Sequence, residues 1–305
     1  MRPRSDDVQQ ILDLASRHEL SLEQNSLSVI EAGLDFRVVL ARANDGTDWV
    51  LRIPRRADVS DRLAAEARIL DFVGQRLDVA VPDWQVTAPD LIAYPLLPGR
   101  PGLTIDETSG EPLWHFDRES LRYAEDLGRL IAALHGLSAK EAKVAGLQVQ
   151  DADESRAEWE QNVQTVRAEF KVAPDLVRRW ENWIADDSFW PIRTVLTHGE
   201  LYPAHVLIAD DETITAVLDW TTAKVGDPAL DFMFQKMIAG ERAFAATVDA
   251  YHKAGGRTWP RLGDHCAEIV AASPVAYGIY ALTTGESAHL DAAAAQLNPV
   301  KSPAV

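Results

Sequence analysis

Polar and apolar residues repeat at different periods along this chain, and the changes of period divide it. Val8, Ile11, Leu12 and Ala15 follow helical spacing behind Ser5, a residue suited to cap a helix. The period then shortens to that of extended chain. Ser26 to Glu31, Phe36 to Ala43 and Thr47 to Ile53 read as strands, with Gly33-Leu34 and Asn44-Asp45-Gly46 as turns, which predicts an antiparallel meander. Helical spacing returns from Ser60 to Gln75, where Leu63, Glu66, Leu70 and Val73 share one stripe. After Val81-Pro82-Asp83-Trp84, the strands Gln85 to Ala88 and Leu91 to Tyr94 lead to Pro95-Leu96-Leu97-Pro98-Gly99, a stiff connection suited to a hinge.

Beyond Gly99 the chain reads as mainly helical. Asp117 to Leu137, Glu154 to Phe170 and Pro174 to Asp186 carry helical periodicity, behind a looser polar stretch from Thr104 to Pro112. Trp180, Trp183 and Trp190 are read as packing residues. One interruption stands out: the β-type runs Thr194 to Thr197, Val206 to Ile208 and Thr213 to Leu218, with Asp210-Asp211 as a turn. These runs are expected to bring Glu200, His205 and Asp219 to one end of a small sheet. Behind them, Asp227 and Pro228 can start a helix, with Asp231 on its first turns. The pattern predicts an α+β protein of two lobes: a small antiparallel β lobe over residues 1–98, a hinge near 94–98, and a larger, mainly helical lobe over 99–305.

Composition narrows the class. At 305 residues with 47% hydrophobic and 25% charged side chains, the chain can bury one large core or two lobes. The single cysteine, Cys266, excludes an internal disulfide and suits a reducing, cytoplasmic setting. Met1 to Asp7 lacks the apolar stretch of a signal peptide, and the apolar segment Ile269 to Leu282 is interrupted by Ser273 and Pro274, so no membrane span is expected. A net charge of -17 repels nucleic acid and attracts cations, besides serving solubility. No long heptad seam is present, and a monomer is expected.

The chemistry concentrates in two places. His198, Glu200, His205 and Asp219 supply the groups that phosphoryl transfer requires, namely an acceptor for the proton of the attacking hydroxyl and ligands for Mg²⁺. A plain surface loop is the simpler reading of His-x-Glu taken alone. A zinc site from His198, Glu200 and His205 is a further alternative, though it lacks the closed N/S ligand set of structural zinc. The second place is Glu66, an acid on an apolar stripe, which needs a partner. Arg52 on the preceding strand is the candidate, in the order seen where a strand cation pairs with a helix glutamate and touches nucleotide phosphates.

These residues carry a resemblance. Trp49 to Arg56, Ala80 to Trp84, Ala93-Tyr94-Pro95, Asp187 to Pro191, His198 to Ile208, Asp219-Trp220 and Asp227 to Asp231 resemble the aminoglycoside phosphotransferase-type antibiotic kinases, and more closely the macrolide 2'-phosphotransferases, along nearly the whole chain. The resemblance implies a two-lobed, protein-kinase-like fold and transfer of the γ-phosphate of GTP, with ATP as the alternative donor, to the 2'-hydroxyl of macrolides such as erythromycin. It places Glu200 where the family's catalytic Asp accepts a hydrogen bond from the substrate hydroxyl, with His198 beside it in the catalytic motif. It makes His205 and Asp219 the Mg²⁺ ligands and Asp231 a brace for the loop. Arg52, Glu66, Gly33, Tyr94 and Leu96 fall at the nucleotide. Tyr202, Asp227, Phe232, Met233, Met237, Tyr277 and Tyr280, together with Glu200, fall at the macrolide, whose protonated dimethylamine suits an acidic protein.

Two features depart from the family pattern. Only Gly33 stands where protein kinases carry a glycine-rich loop, and Glu200 replaces the catalytic Asp. Glutamate keeps the charge but lengthens the arm by a methylene. The alternatives are therefore a catalytically inactive protein that binds nucleotide and macrolide, and a kinase of another small hydroxylated substrate such as an aminoglycoside.

Overall fold

The alternating segments near the N-terminus pair as one antiparallel sheet in a computed structural model of the chain, which describes residues 5–31, 35–106 and 109–299. Its strands lie in the order Ser28–Ile30, Phe36–Arg42, Asp48–Pro54, Leu91–Pro95, Val86–Ala88. Leu51 stands opposite Val39 on one side and Ala93 on the other. Because successive side chains point to opposite faces, Val39, Leu51 and Ala93 go one way and pack with Ile11, Leu14 and Ala15 of the helix Ser5–Arg17. Val50, Ile92 and Tyr94 go the other way, with Phe36 and Leu63. The turn at Gly46 takes φ +89°, where a residue without a Cβ is at ease.

The next helix runs Ala57–Gly74, beginning before the expected Ser60, and its stripe Leu63, Glu66, Leu70 and Val73 is buried. By proximity of Cα atoms the chain forms two compact units. The first takes the described residues up to His115 with 145–147 and 203–223, and the second takes 116–144, 148–202 and 224 onward. The expected division at residue 98 followed chain order, whereas this grouping sets the hairpin 203–223 with the strands of the first unit.

Two expectations are corrected. The three β-type runs do not build one sheet. Val206–Ile208 pairs with Ile214–Val217 and, on its other side, with Arg100–Pro101, while Val195–Thr197 pairs with Lys224–Gly226 in the second unit. The reason lies in the connections: Ala209 to Thr213 closes a tight reversal, with the N–H of Ala209 donating to the carbonyl of Thr213 at 2.9 Å, whereas residues 198–205 form a long loop that fixes no hairpin register. The two ends of the stretch Thr104 to Pro112 also hold more order than their polarity suggests. Leu103–Ile105 and Pro112–Trp114 pair antiparallel, Leu103 opposite Trp114.

The second unit is mainly helical. Leu121–His135 lies along Glu241–Lys253, and Ala152–Glu169 packs with Pro174–Ala185 and Ser273–Thr284. Local signals set the starts. Asp151 accepts from the N–H of Glu154 and the Glu154 side chain accepts from the N–H of Asp151, both at 2.8 Å, a reciprocal cap. Pro174 occupies the first helical turn, where its missing N–H costs nothing. Trp180, Trp183 and Trp190 are buried as read. Among the described residues no single helix is long and apolar enough to cross a membrane, and the pair Leu262–Ala271 and Ser273–Thr284 bends by 42° at the break before Ser273-Pro274.

Candidate active site

In the first unit, the strand Asp48–Pro54 presents Arg52 to the buried stripe of the following helix. A guanidinium N–H of Arg52 donates to Glu66 Oε1 at 2.7 Å, with 8% and 2% of the two residues exposed. The guanidinium lies over the Phe36 ring, 4.1 Å from its centre, and 5.8 Å from the centre of the Trp84 ring. Burial pushes the Glu66 carboxyl above its ordinary range, with the Arg52 charge pulling the other way. Glu66 Oε2 is buried without a hydrogen-bond partner, and the nearby backbone N–H of Trp220 adds to the forces favouring the charged form.

Asp219 follows the strand Ile214–Val217 and has φ +56°, an uncommon conformation that aspartate tolerates better than most residues. Its Oδ1 accepts from the Thr221 hydroxyl at 2.6 Å, and its Oδ2 stands 3.6 Å from His205 Nε2. The backbone fixes this pairing, because the N–H of Leu218 donates to the carbonyl of His205 at 2.8 Å. The tie brings His205 and Asp219 together by hairpin geometry. Tyr94 is 4% exposed and packs with Phe36, Val50, Leu63 and Ile92, and burial pushes its phenol up to about 12. Leu96 is exposed, with its N–H donated to the carbonyl of Asp48 at 2.8 Å, so that a base seated there would use other groups of the segment. Gly33 lies outside the described residues.

The second unit holds the loop that carries Glu200, and three successive N–H groups of this loop are bound by side chains. Asp231 Oδ2 accepts from the N–H of His198 at 3.1 Å, and Oδ1 from the N–H of Gly199 at 2.7 Å. The N–H of Glu200 donates to His198 Nδ1 at 3.2 Å. Gly199 takes φ +85°, which turns the chain so that all three can be reached. His198 is fully buried while Glu200 is half-exposed, its carbonyl accepting from the N–H of Tyr202 at 2.7 Å. The Tyr202 ring centre is 5.1 Å from that of Phe234, and burial, with the Glu200 charge, raises the Tyr202 phenol.

The remaining residues assigned to the macrolide have varied surroundings. Asp227 is buried: Oδ1 caps the turn Pro228–Asp231 by accepting from the N–H of Ala229 at 2.9 Å, and Oδ2 accepts from His265 Nε2 at 2.6 Å. Both oxygens are engaged inside the fold. Phe232 is fully buried, edge-on to His135 and Tyr251, and is a core residue. Met233 is half-buried and Met237 exposed. Tyr277 and Tyr280 stack with centres 6.1 Å apart, and the Tyr277 hydroxyl meets His289 Nδ1 at 2.9 Å.

Two histidines escaped the sequence reading. His135 Nε2 lies 2.9 Å from Asp231 Oδ2 and its Nδ1 3.0 Å from the Tyr251 hydroxyl. His265 joins Asp227 to Trp183, whose indole N–H donates to its Nδ1 at 2.9 Å. The signal for His135 was present, since it sits four residues beyond Ile131 on the apolar stripe of its helix. Among the described residues no group of three or more His, Cys, Asp and Glu gathers as a metal cage.

Comparison with known proteins is consistent over nearly the whole length. Residues 26–265 match the sequence pattern of APH, the phosphotransferase enzyme family. The macrolide 2'-phosphotransferase MphH from Brachybacterium faecium, solved as apoenzyme, is 53% identical, with a TM-score of 0.92 over 98% of this chain and 100% of that one. A macrolide 2'-phosphotransferase type I is 40% identical, with a TM-score of 0.91 over 99% and 100%. The uncharacterized protein YcbJ of Bacillus subtilis (strain 168) is 37% identical over 288 residues, 94% of each chain.

Proposed function

The chain belongs to the phosphotransferase enzyme family, and from that premise we propose that it passes the γ-phosphate of a purine nucleotide, GTP in preference to ATP, to the 2'-hydroxyl of a macrolide. The observation that carries the proposal is the 53% identity across 98% of the chain to a macrolide 2'-phosphotransferase. The net charge of -17 is in keeping with a substrate that bears a protonated amine beside the reacting hydroxyl.

Each residue takes a role that its chemistry supports. Glu200 accepts the proton of the 2'-hydroxyl as that oxygen bonds to the γ-phosphorus and the bond to the leaving nucleoside diphosphate breaks. Asp231 fixes the backbone from which Glu200 projects. Arg52, kept charged and aimed by Glu66, offers its planar fork to phosphate. Tyr94 and Leu96, in the segment 94–98 read as a hinge, are given to the nucleotide, as is Gly33 by its place in the sequence. Mg²⁺, when bound, neutralises phosphate charge. Asp219 would hold it through carboxylate oxygen, the donor type Mg²⁺ favours, with the nearby His205 imidazole beside it. Tyr202, Met233, Met237, Tyr277 and Tyr280 remain candidates for the macrolide. We place the protein as a cytoplasmic monomer.

One observation favours a second reading. Glu200 carries one methylene more than aspartate, and a misplacement of about 1 Å in a catalytic group costs on the order of a hundredfold in rate. A binder of nucleotide and macrolide with little turnover is the outcome if the loop does not absorb that length. The test is mass spectrometry of erythromycin incubated with GTP and Mg²⁺, beside Glu200→Asp and Glu200→Gln. Phosphorylated drug from the unaltered protein and Glu200→Asp, with none from Glu200→Gln, supports the kinase. Product from Glu200→Asp alone supports the slow or silent binder. No product from any of the three overturns the macrolide assignment and directs the assay to aminoglycosides.

A further inference from the structure

Asp231 receives three N–H groups in the interior of the second unit, two from the loop backbone and the third from an imidazole. A carboxylate only accepts, so the contact of 2.9 Å to His135 requires the hydrogen on His135 Nε2, which leaves Nδ1 to the Tyr251 hydroxyl at 3.0 Å. The His135 and Asp231 side chains are 2% and 0% exposed. A buried carboxylate with a rotatable Cβ–Cγ bond holds its plane only if its contacts define one. His198 and Gly199 supply two contacts, but both belong to the loop that Asp231 is meant to hold.

His135 comes from elsewhere. It ends the helix Leu121–His135, which packs along Glu241–Lys253, the helix that carries Tyr251, and its ring stands edge-on to Tyr251 with centres 5.5 Å apart. The Phe232 ring closes a third side, its centre 5.0 Å from that of Tyr251. The loop is thus referred, through Asp231, to a rigid pair of helices.

We infer that His135 is a positioning residue for phosphoryl transfer: it fixes the Asp231 carboxylate against the helices Leu121–His135 and Glu241–Lys253 and thereby sets where the backbone of 198–200 places the Glu200 carboxyl. The inference rests on the kinase reading of Glu200. His135 touches no reacting atom. Its removal therefore acts on the rate of the chemical step and leaves the binding of either substrate in place.

The test uses two amides. In His135→Gln the side-chain N–H reaches about as far as Nε2 and can still donate to Asp231, whereas in His135→Asn it stops near the Nδ1 position and cannot. The expected result is kcat near that of the unaltered protein for His135→Gln, and a fall of roughly tenfold to a hundredfold for His135→Asn, with KM for GTP and erythromycin unchanged in both. Hydrogen exchange at the amides of His198, Gly199 and Glu200 gives a readout that needs no substrate: His135→Asn should exchange them faster and His135→Gln should not. Equal behaviour of the two variants in kcat and exchange, or a rise in KM that accounts for the loss, would overturn the inference. If the unaltered protein phosphorylates no acceptor, the kinase reading fails, and the exchange comparison still decides whether His135 fixes the loop.

Discussion

Arg52 and Glu66 face each other across 2.7 Å where almost no water reaches either side chain. Neither charge is tolerable there alone. Removing one partner leaves the other buried and uncompensated, at a cost of about 3–5 kcal/mol, whereas replacing both by apolar residues of similar volume is far milder. Arg52→Met is therefore expected to lose that much stability in urea unfolding, and Arg52→Met with Glu66→Leu to recover most of it. Both variants are expected to bind nucleotide poorly by calorimetry, so that the recovery separates the pair's role in folding from the role proposed for it towards phosphate.

Alkaline pH should expose the burial of Tyr94. Its phenol is pushed from 10.0 up to about 12 in the folded protein. A raised value means that the folded state holds its proton longer than the unfolded chain does. The stability linked to it is fully present below pH 10 and is lost as the pH rises through about 12, on the order of 2–3 kcal/mol in all. Urea midpoints measured between pH 8 and 12 should fall more steeply for the unaltered protein than for Tyr94→Phe. Parallel curves would show that the phenol ionises as freely in the folded protein as in the unfolded chain.

Gly128 sets the approach of the helices Leu121–His135 and Glu241–Lys253. A Cβ at this position would collide with the carbonyl oxygen of Thr247 and stand 2.8 Å from Ala250 Cβ, and backbone cannot yield as a flexible side chain does. Gly128→Ala is expected to cost roughly 1–3 kcal/mol despite its better helix propensity, visible as a lowered Tm. A raised Tm would mean that the helices separate freely.

The pair Asp227 and His265 is expected to matter for folding and not for substrate. Trp183 donates to Nδ1 of His265, so that ring carries its hydrogen on Nε2 and gives it to Asp227. Asp227→Ala frees a buried imidazole N–H and uncaps the turn Pro228–Asp231, at a cost of about 3 kcal/mol or more. The surviving folded protein should keep its KM for macrolide. A selective rise in KM at unchanged Tm would restore Asp227 to the substrate site.

What could be read from the residues and what could not divide along physical lines. The strands around Leu51 and the helix carrying Glu66 were legible because alternation and helical spacing are local, whereas the partnership of Arg52 with Glu66 needed, besides an acid on an apolar stripe, the order of the two residues and the motif further along the chain. The two-lobed α+β class followed from the same patterns. The pairing of Val195–Thr197 with Lys224–Gly226 was not legible, since short strands choose partners by what else is nearby. His135 was missed because its partner, Asp231, lies 96 residues away along the chain. Asp227 was set near the substrate by the family resemblance, and Phe232 was read as core before ligand contact; the depth of both shows only in the packed chain. The sequence pattern read chemistry by type, while depth is a property of the packed chain.

The way the 198–200 loop is held has a bearing on how such a protein can change over generations. The N–H groups of His198 and Gly199 are held by the Asp231 carboxylate, and that of Glu200 by the His198 ring. These three bonds use backbone N–H groups, which aspartate and glutamate share. A lineage can exchange aspartate for glutamate at this position by a single substitution, lose or retune its chemistry, and later regain it, without the surrounding architecture having to be rebuilt. Selection on the reaction and selection on the fold act here on different atoms.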